Sequence, residues 1–167
     1  MKNPLSVFAA TLVLASAPTF ARAELKPGAD LAPYEVKNTA TGKEYCQMCA
    51  YGAKPATVAA YGKFNDAAFW ADLKKLQAYH TQFPQAGFFA QVLDSTDAKA
   101  IAAKAKANGI TFPVVYATDK QWNDVYKVDA SRTVYVSKKF RVVYSTVGLD
   151  EKPTAELEAR LRRELKG

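Results

Sequence analysis

Thr133-Val134-Tyr135-Val136-Ser137-Lys138-Lys139-Phe140-Arg141-Val142-Val143-Tyr144-Ser145-Thr146-Val147 is the stretch on which the reading of the fold turns. Two β-branched and aromatic runs, Thr133 to Val136 and Phe140 to Val147, are parted by Ser137-Lys138-Lys139, the spacing of an antiparallel hairpin. Downstream, Leu157, Leu161 and Leu165 recur at helical spacing from about Pro153. Glu156 and Glu158 come early in that helix and Arg162, Arg163 and Lys166 late, as its dipole favours.

Upstream of the hairpin the hydrophobic period switches repeatedly between that of strand and that of helix. Ala56 to Tyr61, opened by Pro55 and closed by Gly62, suits a buried strand. Asn65 and Asp66 are helix caps, after which Phe69, Leu73 and Leu76 share one apolar face. Gly87 to Leu93 reads as a second strand. Ala98, Ile101, Ala102 and Ala105 line the next helix, which Asn108-Gly109 ends. Phe112 to Ala117 is a third strand, and Asp119 to Tyr126 a short helix with Trp122, Val125 and Tyr126 on one side. The order β-α-β-α-β-α-β-β-α implies an α/β fold in which right-handed crossovers give parallel strands and the closing hairpin adds an antiparallel edge.

Met1 to Ala23 has the layout of a secretory signal: Lys2, an apolar run from Leu5 to Ala17, then Ala21-Arg22-Ala23 as an A-x-A cleavage site. The apolar run is too short to span a bilayer. The expected organisation is therefore a signal peptide over 1–23, an irregular arm over 24–54 with one short strand near Tyr34 to Lys37, and a single folded domain over 55–167. Export would place the protein in a periplasm or outside the cell, with no stable membrane insertion after cleavage. Losing Lys2 and Arg22 lowers the net charge of +7 by two. Basic residues such as Lys99, Lys104, Lys106, Arg160, Arg162 and Arg163 fall at helix-surface spacing, which argues against a nucleic-acid partner. One histidine, His80, and the absence of G-x-S-x-G leave hydrolase chemistry without support, and there is no glycine-rich phosphate loop. No cofactor is implied. The aromatics Phe64, Phe69, Trp70, Phe88, Phe89 and Trp122 fall at core spacing.

The element order, with Gly109-Ile110-Thr111-Phe112-Pro113-Val114-Val115 opening a strand and Tyr126-Lys127-Val128 leaving a helix, resembles the redoxin branch of the thioredoxin-like superfamily. The resemblance covers about Pro55 to Leu165. It implies a central mixed sheet with helices on both faces and a C-terminal β-hairpin plus helix. It also implies a C-x-x-C just after the first core strand and a cis-proline before the penultimate one. Here the first place is Lys63-Phe64-Asn65-Asp66 and the second Ser131-Arg132-Thr133, so neither feature is where the resemblance puts it. Pro113 lies one strand too early and is expected to be trans. The Pro-x-x-x-Thr/Ser-x-x-Cys of a peroxiredoxin is absent as well.

The only cysteines lie earlier, in Tyr45-Cys46-Gln47-Met48-Cys49-Ala50-Tyr51-Gly52. Three readings stay open. Two thiols separated by two residues can close a small ring and cycle between dithiol and disulfide, exchanging with protein or small-molecule thiols. By analogy with other C-x-x-C pairs, Cys46 would attack and Cys49 resolve. Tyr45 and Tyr51 could form a docking surface, and Lys43 or Lys54 could favour the thiolate. Against this, no helix obviously starts at Cys46, since Gly52 and Pro55 leave it little room. The second reading is a fixed disulfide bracing the arm of a redox-inactive binding module. The third takes Cys46, Met48 and Cys49 as soft ligands for Cu(I). Zinc would need four ligands, and c-type haem a His where Ala50 stands.

Overall fold

The computed structural model describes residues 25–128 and 131–166. The expected signal segment therefore lies outside the described residues. The strands are β1 (Glu35–Asn38), β2 (Glu44–Cys46), β3 (Thr57–Gly62), β4 (Gly87–Val92), β5 (Val114–Ala117), β6 (Thr133–Lys138) and β7 (Arg141–Val147). The helices are α1 (Gln47–Tyr51), α2 (Ala67–Gln82), α3 (Ala98–Ala107), α4 (Trp122–Tyr126) and α5 (Glu151–Glu164). All the strands join one mixed sheet in the order β2-β1-β5-β4-β3-β6-β7. β3, β4 and β5 run parallel, and β6 and β7 close the sheet antiparallel, as the alternation implied.

Every residue of β3 and β4 is buried, because helices cover both faces. Side chains alternate between two cores, as strand geometry requires. Val58, Ala60, Phe88, Ala90, Val134 and Val136 pack against α2, α3 and α5 through Leu73, Ile101 and Leu157. Ala59, Tyr61, Phe89 and Tyr135 face the other way and meet Tyr126 of α4 and Met48 of α1. Burying each such leucine or phenylalanine stabilises the fold by about 1.5–3 kcal/mol. The Asp66 carboxylate caps α2 by accepting from the Ala68 and Phe69 amides at 2.9 and 3.3 Å, a contribution of about 1 kcal/mol.

Residues 25–54 differ from the irregular arm expected over 24–54. The run Asn38 to Gly42 is a turn: Asn38 Oδ1 accepts from the Ala40 and Thr41 amides, and Gly42 adopts φ +70°. It folds β2 back on β1, and β1 pairs antiparallel with β5, extending the sheet by two strands. Before β1 the chain runs beside the opposite edge, where Gly28 and Leu31 donate to the Val142 and Phe140 carbonyls at 2.8 and 2.7 Å. It then crosses the second core through buried Leu31 and Tyr34. Strand-by-strand reading missed this strap because its partners lie about a hundred residues away.

Candidate functional site

Cys46 is the last residue of the edge strand β2 and also the N-cap of α1. A helix does begin at the cysteine pair, contrary to the expectation from Gly52 and Pro55; it is simply five residues long. Cys46 and Cys49 are joined by a disulfide with their Cα atoms 5.3 Å apart, within the span a disulfide bridges. The Cys49 N–H donates to Cys46 Sγ at 3.2 Å, so the sulfur takes the place of the usual capping oxygen. Cys46 is half-buried and Cys49 exposed. The two residues between them point inward: Met48 is 5 % exposed and Gln47 is fully buried. Their backbone is fixed by the Gln47 N–H donating to the Tyr34 carbonyl at 2.9 Å.

The far end of α1 is anchored by the residue expected to dock partners. Tyr51 stacks on Phe89 at 5.6 Å and donates its hydroxyl to the Phe88 carbonyl at 3.0 Å. Its ring lies over Gly87, where any Cβ would collide with it. Burial raises the Tyr51 phenol well above its ordinary value. Tyr51 is thus a strut between α1 and β4. Tyr45 is half-buried, and Lys43 and Lys54 are exposed on the flanks of β2 and α1. Phe140, in the left-handed region at φ +64°, lays its ring against Gly52, whose Cβ would stand 2.8 Å from it.

With the disulfide closed, the two thiolates that the soft-metal reading needs are not free. The two sulfurs are bonded to each other, and Met48 is buried in the second core. Among the described residues no group of three or more His, Cys, Asp or Glu side chains could hold a metal ion. His80 packs edge-on against Phe88 and Phe112, far from the cysteines along the chain.

Strand register locates the disulfide relative to the place where the resemblance would put it. Cys46 pairs with Glu35, whose carbonyl accepts from Thr118 just beyond β5. Through the β5, β4 and β3 pairings this is the level at which β3 ends. The disulfide therefore sits at the expected pole of the sheet but is displaced sideways by four strand spacings, roughly 19 Å.

The habitual position itself is filled by polar contacts that hold elements together. The Ser131 hydroxyl donates to Asp66 Oδ2 at 2.6 Å, and Ser131 Oγ accepts the Lys63 N–H at 3.1 Å. That hydroxyl holds the Asp66 carboxyl below its usual 3.8; the Phe69 and Ala68 amides add to this and partial burial opposes it. Next to it Arg132, at φ +72°, binds the buried Asp72 through Nε and Nη2 at 2.8 and 3.2 Å, and reaches Asp150 at 3.2 Å. Asp72 also accepts the Leu149 N–H at 3.3 Å. Among the described residues no peptide bond is cis, so Pro113 is trans as expected.

No known family pattern matches the sequence, and no curated protein is significantly similar to it. Solved structures are similar in shape. An uncharacterized conserved protein from Geobacillus kaustophilus superposes with a TM-score of 0.76 at 16 % identity, over 91 % of this chain and 89 % of that one. A candidate protein disulfide isomerase from Bacteroides thetaiotaomicron gives 0.74 at 14 % identity, over 90 % and 96 %. A candidate thiol:disulfide interchange protein DsbE from Chlorobium tepidum gives 0.72 at 13 % identity, over 85 % and 99 %. At such identities the likeness is one of fold. The fold is thioredoxin-like, of the redoxin type.

Proposed function

We propose that this is an exported protein, periplasmic or secreted, that carries out thiol–disulfide exchange through Cys46 and Cys49 with thiols of a protein or small-molecule partner. The observation that carries the reading is that the disulfide lies at the surface with Cys49 exposed, so another sulfur can reach it. The reaction closes without a cofactor: two partner thiols become one disulfide while the Cys46–Cys49 bond takes up two electrons and two protons, or the reverse. The fold shared with proteins whose names denote disulfide chemistry supports the reading. Export rests on the layout of Met1 to Ala23, and disulfides persist outside the cytosol. Among the described residues no helix is long and apolar enough to cross a membrane.

One observation favours a second reading, a bracing disulfide. Gln47, Met48 and Tyr51 anchor α1 on the second core, so the ring could serve to keep that turn in place. A reduction potential separates the two. A value above about −300 mV together with catalysed reduction of insulin by dithiothreitol supports exchange; a lower value without catalysis supports the brace. The Cys46→Ser/Cys49→Ser variant should lose all such activity and about 2 kcal/mol of stability, the loop-entropy share of a four-residue ring. Recovery of a protein starting at Glu24 from a periplasmic or culture fraction tests export.

A further inference from the structure

The two sulfurs differ in both access and hydrogen bonding, and both differences favour the same direction of reaction. A thiolate attacks a disulfide in line with the S–S bond, approaching the attacked sulfur from the side away from the leaving one. Cys49 is exposed and is followed by exposed Ala50, whereas Cys46 is half-buried at the end of β2 and is followed by buried Gln47 and Met48. The leaving sulfur must accept negative charge, and a hydrogen-bond donor already aimed at it lowers that cost. Cys46 Sγ has one, the Cys49 N–H at 3.2 Å. Among the described residues no donor is bonded to Cys49 Sγ.

We propose that exchange passes through Cys49: the incoming thiolate bonds to Cys49 Sγ, the Cys46–Cys49 bond breaks, and Cys46 leaves as the thiolate held by the Cys49 amide. This deepens the exchange reading above and rests on it. A second partner thiolate then attacks the partner sulfur of the mixed disulfide, forming the partner disulfide and releasing the Cys49 thiolate. The protons of the two partner thiols end on Cys46 and Cys49, and the protein is reduced by two electrons. In the opposite direction Cys49 attacks a partner disulfide and Cys46 resolves the intermediate. The roles are the reverse of those that analogy with other C-x-x-C pairs assigns.

The oxidised full-length protein, mixed with limiting reduced glutathione and trapped within milliseconds to seconds by N-ethylmaleimide, reports the order directly. Fragmentation mass spectrometry should find glutathione on Cys49 and maleimide on Cys46, in about tenfold excess over the reverse labelling, the ratio one hydrogen bond to a charged group can set. Equal labelling, or glutathione chiefly on Cys46, overturns the assignment and leaves the exchange reading standing. No adduct on either sulfur overturns both. The single variants give an independent check: reduced Cys46→Ser should form a mixed disulfide with oxidised glutathione faster than reduced Cys49→Ser, and the opposite order overturns the assignment.

Discussion

Gln47, enclosed within the disulfide ring, is a polar side chain in an apolar setting. It is fully buried, and neither Nε2 nor Oε1 has a hydrogen-bond partner among the described residues. Burying an amide without a partner costs about 1–3 kcal/mol. Methionine has nearly the same length and volume and no polar atom. Gln47→Met should therefore recover most of that cost, less a repacking loss of under about 1.5 kcal/mol. We expect a net gain of about 1–2 kcal/mol in the oxidised protein, equivalent to roughly 2–8 °C in Tm for a domain of this size. Urea unfolding followed by circular dichroism measures it, with an unchanged m-value showing that only stability has moved. A loss of 1 kcal/mol or more would refute the reasoning, because it would show that the amide's hydrogen bonds are made in solution.

Three further outcomes follow from the contacts around the sheet. Asp72→Asn leaves Arg132 facing a neutral partner in a largely buried pair and should cost about 3 kcal/mol by the same urea assay, whereas Asp150→Asn, at the exposed end of that network, should cost under about 1 kcal/mol. Gly62→Ala pushes a methyl into the buried Phe69 ring and should lower stability by about 1–3 kcal/mol, with Phe69→Leu in the same chain recovering part of the loss. Ser131→Ala removes the main cause of the depressed Asp66 carboxyl, a group whose contribution is present above its unfolded value of 3.8 and fades as pH falls through the folded one. The variant should thus be less stable than the parent at pH 5 to 7, and the gap in urea midpoint should close toward pH 2.

Periodicity was a sufficient guide where each element's partners lay nearby in the chain. Phe69, Leu73 and Leu76 announce α2, Asp66 caps it, and the β-branched runs on either side of Lys138 and Lys139 announce the hairpin. The two-stranded extension was less visible. β1 and β2 are four and three residues long, and their one strong signal is the turn Asn38 to Gly42. Helix α1 was hidden for a different reason. Its cap is a sulfur, outside the oxygen-bearing residues by which helix starts are recognised, and its five residues are too few to show a period. The cysteines themselves were legible at once, but their exposure was not, because it depends on which face α1 lays on the second core. Tyr51 shows the same limit: two residues beyond Cys49 it looks like a docking residue, and only the bare backbone of Gly87 reveals that it is a strut.

The strap before β1 sets an order on folding. Leu25 donates to the Tyr135 hydroxyl across 110 residues of sequence, and Gly28 and Leu31 bond to β7 and the turn before it. The earliest described residues therefore bind the latest strands, and loop closure across such a span is slow. A chain emerging from its N-terminus holds these residues without partners until the hairpin has appeared, and the β7 border of the sheet stays open during that interval. Docking of the strap then covers the β7 edge, while β2 remains the outer strand at the other border.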